Sequence, residues 1–293
     1  MVNKLSHLMG ILITVPALLG CQPSFNPSPT DLNTTPKKSF STAAVAISDS
    51  YGAEIAENIL NSGGNAVDAA VAAGFALAVT FIDAGNIGGG GFMTIKIDQE
   101  VAFLDYREKA PLTAHKNMYL NDQGDVIDNI TLIGGQAAGV PGTVAGFWEA
   151  HQRFGQLPWK DLVQPAIELA DKGFMPAPIL VESILSMEQR FEGRTNFNDY
   201  FNSISSDSLF RQPELANTLR RIAEFGADDF YRGETAALIV QQMEKSNGLI
   251  SLEDLDAYAA VWRAPVRAGW RDYEIISAPP PSSGGFAIVQ LLK

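Results

Sequence analysis

The sequence predicts an α+β or layered α/β domain that begins near Ala43 and runs to Lys293. Two observations carry this: strand-length apolar runs are mixed with long helical patterns, and no internal repeat is evident. Ala43-Ala44-Val45-Ala46-Ile47 comes first, a short apolar run suited to a buried strand. Ala53 to Leu60 has a helical pattern that Gly63-Gly64 breaks. Asn65 then stands where it can cap a run from Ala66 to Val79, with Asp68 complementing the first turn. That run is rich in Ala and Val with one charge, so it should be buried on most sides. Phe92 to Ile97 and Val101 to Leu104 read as a hairpin turning at Asp98-Gln99-Glu100. Pro141-Gly142-Thr143 opens a helix toward Phe154, and Asp161 to Lys172 forms another before Gly173. Poor periodicity and high polarity between Pro176 and Phe210 predict irregular helices and surface loops. Glu234 to Asn247 is a helix ended by Gly248, and Ser251 with Asp254 resembles a capping box. Tyr273 to Ser277 is a strand that leads into Pro279-Pro280-Pro281-Ser282-Ser283-Gly284-Gly285.

Charge and rare residues narrow the function classes. The 293 residues hold 21 basic and 33 acidic side chains, a formal charge of −12 that would repel a phosphate backbone and argues against nucleic acid as a partner. Three histidines, His7, His115 and His151, and one cysteine cannot build a His-rich or Cys/His metal site. The cysteine belongs to an export signal: Lys4 supplies a positive start, Leu8 to Leu19 is largely apolar, and Leu18-Leu19-Gly20-Cys21 is a lipobox. Residues 1–20 are therefore expected to be a lipoprotein signal peptide, with Cys21 the lipid attachment point after cleavage. Residues 21–42, with their prolines among Ser, Thr and Asn, are expected to form the acylated N-terminus and a flexible tether. No other stretch approaches the roughly 18 apolar residues of a membrane helix, so attachment to the membrane would be by lipid only. The expected location is the periplasmic side of a bacterial envelope, and Gln22 after the cysteine favours the outer membrane.

Three segments have residue types that can do chemistry or hold a ligand. Gly88-Gly89-Gly90-Gly91 lets backbone approach closely or turn sharply, yet it lacks both the Lys-Ser/Thr of a P-loop and the G-x-G-x-x-G spacing, which excludes a nucleotide site. Leu104-Asp105-Tyr106-Arg107-Glu108 places an arginine at a strand exit, where its planar fork could receive a carboxylate or pair with Asp105 or Glu108. Ser282-Ser283 lies in a Pro/Gly-rich loop without the G-x-S-x-G elbow of a serine nucleophile, and reads as a rigid turn.

Longer blocks carry a resemblance. Asn58-Ile-Leu-Asn-Ser-Gly-Gly-Asn-Ala-Val-Asp-Ala-Ala-Val, Gly88-Gly-Gly-Gly-Phe-Met and Leu104-Asp-Tyr-Arg-Glu-Lys-Ala-Pro resemble successive blocks of the γ-glutamyltransferases. Gly139-Val-Pro-Gly-Thr-Val-Ala-Gly, Phe154-Gly-Gln-Leu-Pro-Trp, Phe230-Tyr-Arg-Gly-Glu, Asn247-Gly-Leu-Ile-Ser-Leu-Glu-Asp-Leu and Pro279-Pro-Pro-Ser-Ser-Gly-Gly continue it in order over residues 43–293. The resemblance implies an N-terminal-nucleophile hydrolase fold of four layers, αββα. It also implies a precursor that cuts itself, so that the new N-terminal Thr of a small subunit becomes the nucleophile. Glutathione or another γ-glutamyl compound would be the donor, and water, an amino acid or a peptide the acceptor; no cofactor is implied. Arg107 matches the family arginine that binds the donor's α-carboxylate, while the Gly-rich and Pro-Pro-Pro-Ser-Ser-Gly-Gly segments would shape the scaffold.

The chain departs from the family pattern at its end. No Thr-led processing site precedes Lys293, so the sequence reads as a large-subunit portion with an incomplete fold, no catalytic residue of its own and a need for a small subunit from the same precursor. Alone it is expected to be inactive. Two alternatives keep some of these features: an amidohydrolase of the glutaryl/cephalosporin-acylase type, whose donor also carries a carboxylate, and a non-catalytic envelope lipoprotein that binds glutamyl compounds.

Overall fold

A computed structural model describes residues 43–293; the expected signal peptide, Cys21 and the tether lie outside the described residues. The architecture rests on a helical hairpin. Asp49 starts α1 (Ser50–Asn61) by accepting the Gly52 N–H at 2.8 Å. The next helix, α2 (Ala66–Thr80), begins with a full capping box: Asn65 Oδ1 accepts the N–H groups of Val67 and Asp68 at 2.8 and 3.0 Å, and Asp68 Oδ2 accepts that of Asn65 at 2.9 Å. As its composition predicts, α2 is buried nearly all round, with Val71, Phe75 and Val79 fully enclosed.

Strands β1 (Phe92–Ile97) and β2 (Glu100–Asp105) form the expected antiparallel hairpin, with Asp98 at a positive φ of 51° in its turn. Helices α3 (Thr143–Phe154) and α4 (Trp159–Lys172) then pack against α2. An edge-to-face set locks the layer: Phe75 meets Phe147 at 5.1 Å and Trp159 at 5.4 Å between ring centres. Asp68, fully buried, accepts the Gln156 N–H at 3.0 Å, so one carboxylate serves both the start of α2 and the connection from α3 to α4.

Helices α5 (Pro178–Phe191) and α6 (Phe197–Phe201) follow, then α7 (Pro213–Phe225), whose Ala216, Leu219 and Ile222 bury against α4. Short α8 (Ala227–Arg232), α9 (Glu234–Lys245) and α10 (Leu252–Asp256) lead to β3 (Val261–Arg263), which returns to pair antiparallel with β2. The first sheet therefore has the order β1-β2-β3, and β4 (Val266–Trp270) with β5 (Tyr273–Ser277) makes a separate two-stranded sheet before α11 (Gly284–Leu291). The class is α+β, as the sequence predicts. No helix among the described residues is long and apolar enough to cross a membrane.

Two expectations are corrected. Ala43–Ile47 is not a buried strand: residues 43–46 are exposed and no strand among the described residues pairs with them. An apolar run becomes a strand only where a neighbour takes its N–H and C=O groups. The 176–210 stretch is also more regular than its polarity suggests. Its longest element, α5, is a 14-residue helix started by Pro178, and only Leu180 and Ile184, four residues apart, are buried.

Candidate functional site

The site is built where β2 ends. Tyr106 continues the hairpin by one pair, exchanging hydrogen bonds with Gly91 at 3.0 and 3.3 Å. The glycine run therefore lies directly against Tyr106-Arg107-Glu108. Gly90 must lack a side chain, because a Cβ there would run into the Tyr106 carbonyl and the Glu108 amide. The same run reaches the third block: the Gly89 carbonyl accepts the N–H groups of Gly142 and Thr143 at 2.6 and 3.1 Å, fixing the start of α3. Asn86 supports the loop from beneath, its Oδ1 accepting the Gly89 N–H at 2.6 Å and the Thr143 hydroxyl at 3.2 Å. Three segments far apart in sequence thus converge on Tyr106 and Arg107.

Arg107 is held by its backbone and free at its tip. Its N–H donates to Asp105 Oδ1 at 3.0 Å, and its carbonyl accepts the Tyr258 hydroxyl at 2.9 Å. The residue is exposed, and among the described residues its guanidinium makes no hydrogen bond or ion pair. Asp105, a buried carboxylate beside it, is taken by Arg263 instead: Arg263 Nε donates to Asp105 Oδ2 at 2.8 Å across the β2–β3 pair. Pairing of Arg107 with Asp105 or Glu108, open on sequence grounds, does not occur. The arrangement presents an unspent planar fork, suited to a carboxylate ligand.

Neutral phenols surround the clamp. Burial pushes the Tyr106 hydroxyl up to about 12. The Tyr258 hydroxyl is also raised, first by burial and then by the negative charges of Asp105 and Glu108. Tyr231 is raised by burial, lies parallel to Tyr258 at 5.5 Å, donates to the Pro141 carbonyl at 2.8 Å and accepts the Ala145 N–H at 3.3 Å. Each therefore stays protonated, and Tyr231 and Tyr258 act as donors, to the Pro141 and Arg107 carbonyls. Gly142 packs beneath, where a Cβ would strike both the Tyr106 carbonyl and the Tyr258 hydroxyl.

Ser282 and Ser283 occupy the turn that their sequence predicts, with the Ser282 N–H on the Pro279 carbonyl at 3.1 Å and Ser282 Oγ accepting the Gly284 N–H at 3.2 Å. Their hydrogen bonds stay within that turn and the start of α11. Tyr258 and Arg263 have no place in the sequence reading. They lie 151 and 158 positions away from the groups they hold, and no local pattern marks such a contact. Among the described residues no group of three or more His, Cys, Asp or Glu side chains is placed to bind a metal.

Comparison with known proteins bears on this site. The family described as Gamma-glutamyltranspeptidase matches residues 52–293. The chain is 55% identical over 249 residues to the glutathione hydrolase proenzyme of Pseudomonas aeruginosa, an overlap of 85% of this chain and 45% of that protein. It thus spans less than half of that curated relative. Among solved structures it resembles the gamma-glutamyltranspeptidase from Pseudomonas nitroreducens complexed with L-DON, at 54% identity and a TM-score of 0.84, covering 86% of this chain and 76% of that one. The Helicobacter pylori gamma-glutamyltranspeptidase is similar at 43% identity and a TM-score of 0.85, with 88% and 75% covered. The matched span contains the glycine run, the Arg107 block and the start of α3, the three segments that converge in the fold. The chain belongs to the gamma-glutamyltranspeptidase family.

Proposed function

We propose that residues 43–293 form the large-subunit part of an enzyme that transfers or hydrolyses the γ-glutamyl group of glutathione and related donors. The observation that supports this most is the Arg107 guanidinium, unpaired among the described residues at the tip of a backbone held on both sides. In this reading it receives the donor's α-carboxylate through two parallel hydrogen bonds, fixing position as well as charge. The nucleophile is an N-terminal Thr of a small subunit cut from the same precursor. Its freed α-amino group, with a pKa of about 7.7–8.0, is a suitable acceptor for the hydroxyl proton. The small subunit also completes the four-layer αββα fold. The precursor is exported and anchored through a lipid on Cys21, with residues 22–42 as tether.

The test uses the purified full-length protein with a γ-glutamyl anilide, and with a glutaryl anilide as competitor. Arg107→Ala is expected to raise KM for the γ-glutamyl donor on the order of 30-fold or more, the usual loss when one side of a charged, hydrogen-bonded pair is removed. A preference for the glutaryl donor, or an unchanged KM in Arg107→Ala, overturns the assignment. Growth with labelled palmitate checks the anchor separately: label should enter the protein and be lost in Cys21→Ala.

A further inference from the structure

We infer that Tyr258 is a positioning residue for donor recognition, acting through the Arg107 carbonyl, with Asp105 as its counterpart at the Arg107 N–H. The inference rests on the reading of Arg107 given above and extends it to residues that touch no substrate. Arg107 lies two residues past the end of β2 and is itself exposed, so packing alone does little to fix its φ and ψ. Two hydrogen bonds supply that restraint, at 3.0 Å from Asp105 and 2.9 Å from Tyr258. Neither partner is loose. Asp105 is buried and tied to Arg263 at 2.8 Å. Tyr258 is 8% exposed, and its ring lies flat against Tyr231, whose hydroxyl is bonded to the Pro141 carbonyl.

The backbone of the fork is therefore referenced to β3 on one side and to the start of α3 on the other. A guanidinium at the end of a long side chain amplifies small rotations at its Cα. Loosening either tie spreads the fork over positions that miss a bidentate match, which weakens carboxylate capture without touching the chemical step.

The experiment is kinetic and uses the full-length processed protein. Tyr258→Phe keeps the ring and removes only the hydroxyl; Asp105→Asn keeps an acceptor and removes the charge. Tyr258→Phe is expected to raise KM for a γ-glutamyl donor about three- to tenfold, the range for one lost hydrogen bond, with kcat within about twofold. A donor that lacks the α-carboxylate should show no change in KM between wild type and Tyr258→Phe. In an Arg107→Ala background the tyrosine substitution should add nothing, because residues that act through one contact are not additive. Asp105→Asn should follow the same pattern with a smaller rise.

A merely structural tyrosine would lower kcat, or raise KM equally for both donors, and either result overturns the inference. If Arg107→Ala raises KM but Tyr258→Phe and Asp105→Asn do not, the inference fails while the reading of Arg107 stands. If Arg107→Ala leaves KM unchanged, both fail.

Discussion

Asp254 shows how a single carboxylate can join two parts of the fold. Its Oδ1 accepts the Leu112 N–H at 2.5 Å, and its Oδ2 accepts the hydroxyl and the N–H of Ser251 at 2.7 and 2.8 Å. One residue thus starts α10 and pins the chain that leaves the Arg107 block. Burial acts to raise its pKa, but the donors from Leu112 and Ser251 outweigh it and hold the group below the ordinary carboxylate value of about 3.9. A depressed folded-state pKa means that Asp254 contributes stability above about pH 4, and that this is lost as pH falls through the lower, folded value. Urea unfolding at a series of pH values should therefore find Asp254→Asn about 1–3 kcal/mol less stable near neutrality. The difference should shrink as pH approaches 3; a constant gap would show that the charge plays no part. Among single residues, the Ser251/Asp254 box was legible because a short-range pattern carries it, whereas the residues around Arg107 left its guanidinium open between an ion pair and a ligand. The Leu112 contact was not legible, because its partner lies 142 positions away.

Elements were legible to the degree that their own sequence determines them. The α2 helix is the clearest case, since Asn65 and Asp68 mark its start and the Ala/Val run its burial. Asn65 also donates from Nδ2 to the Phe154 carbonyl at 2.5 Å, which joins the cap to the end of α3. Asn65→Ala removes the cap and this link, so thermal unfolding should shift down by about 2–8 °C, from a loss of about 1–2 kcal/mol. An unchanged midpoint would mean that packing of α2 alone sets its start. By contrast, α7 was missed in the sequence reading although Ala216, Leu219, Ile222 and Ala223 recur at helical spacing on one buried face among Arg, Glu, Asn and Thr. Ala43–Ile47 errs the other way, with a strong local preference and no strand beside it among the described residues. β3 is only three residues long, and its existence depends on β2.

At the scale of the whole molecule, the fold class was legible from the mixture of patterns, while the pairing of β2 with β3 was not, because register between distant segments is set by tertiary packing. One end of the described fold also keeps apolar side chains in water. Tyr273 on β5, with Phe286, Ile288 and Leu291 on α11, is well exposed, and Leu291 is 85% so. Such a surface attracts apolar ligands and other chains. Purified residues 22–293 should take up an environment-sensitive apolar dye, and Phe286→Ser with Leu291→Ser should reduce the signal at least about twofold. Equal fluorescence from both proteins would locate the dye elsewhere.

The long reach of the Arg107 clamp also sets an order in time. A chain made from its N-terminus presents Arg107 well before Tyr258 and Arg263 have been added, and β2 must wait for β3 across most of the fold. Contacts between such distant segments form slowly. The loop that bears Arg107 is consequently among the last parts of this region to be set, and a nascent or partly folded chain presents its guanidinium without the Tyr258 tie behind it.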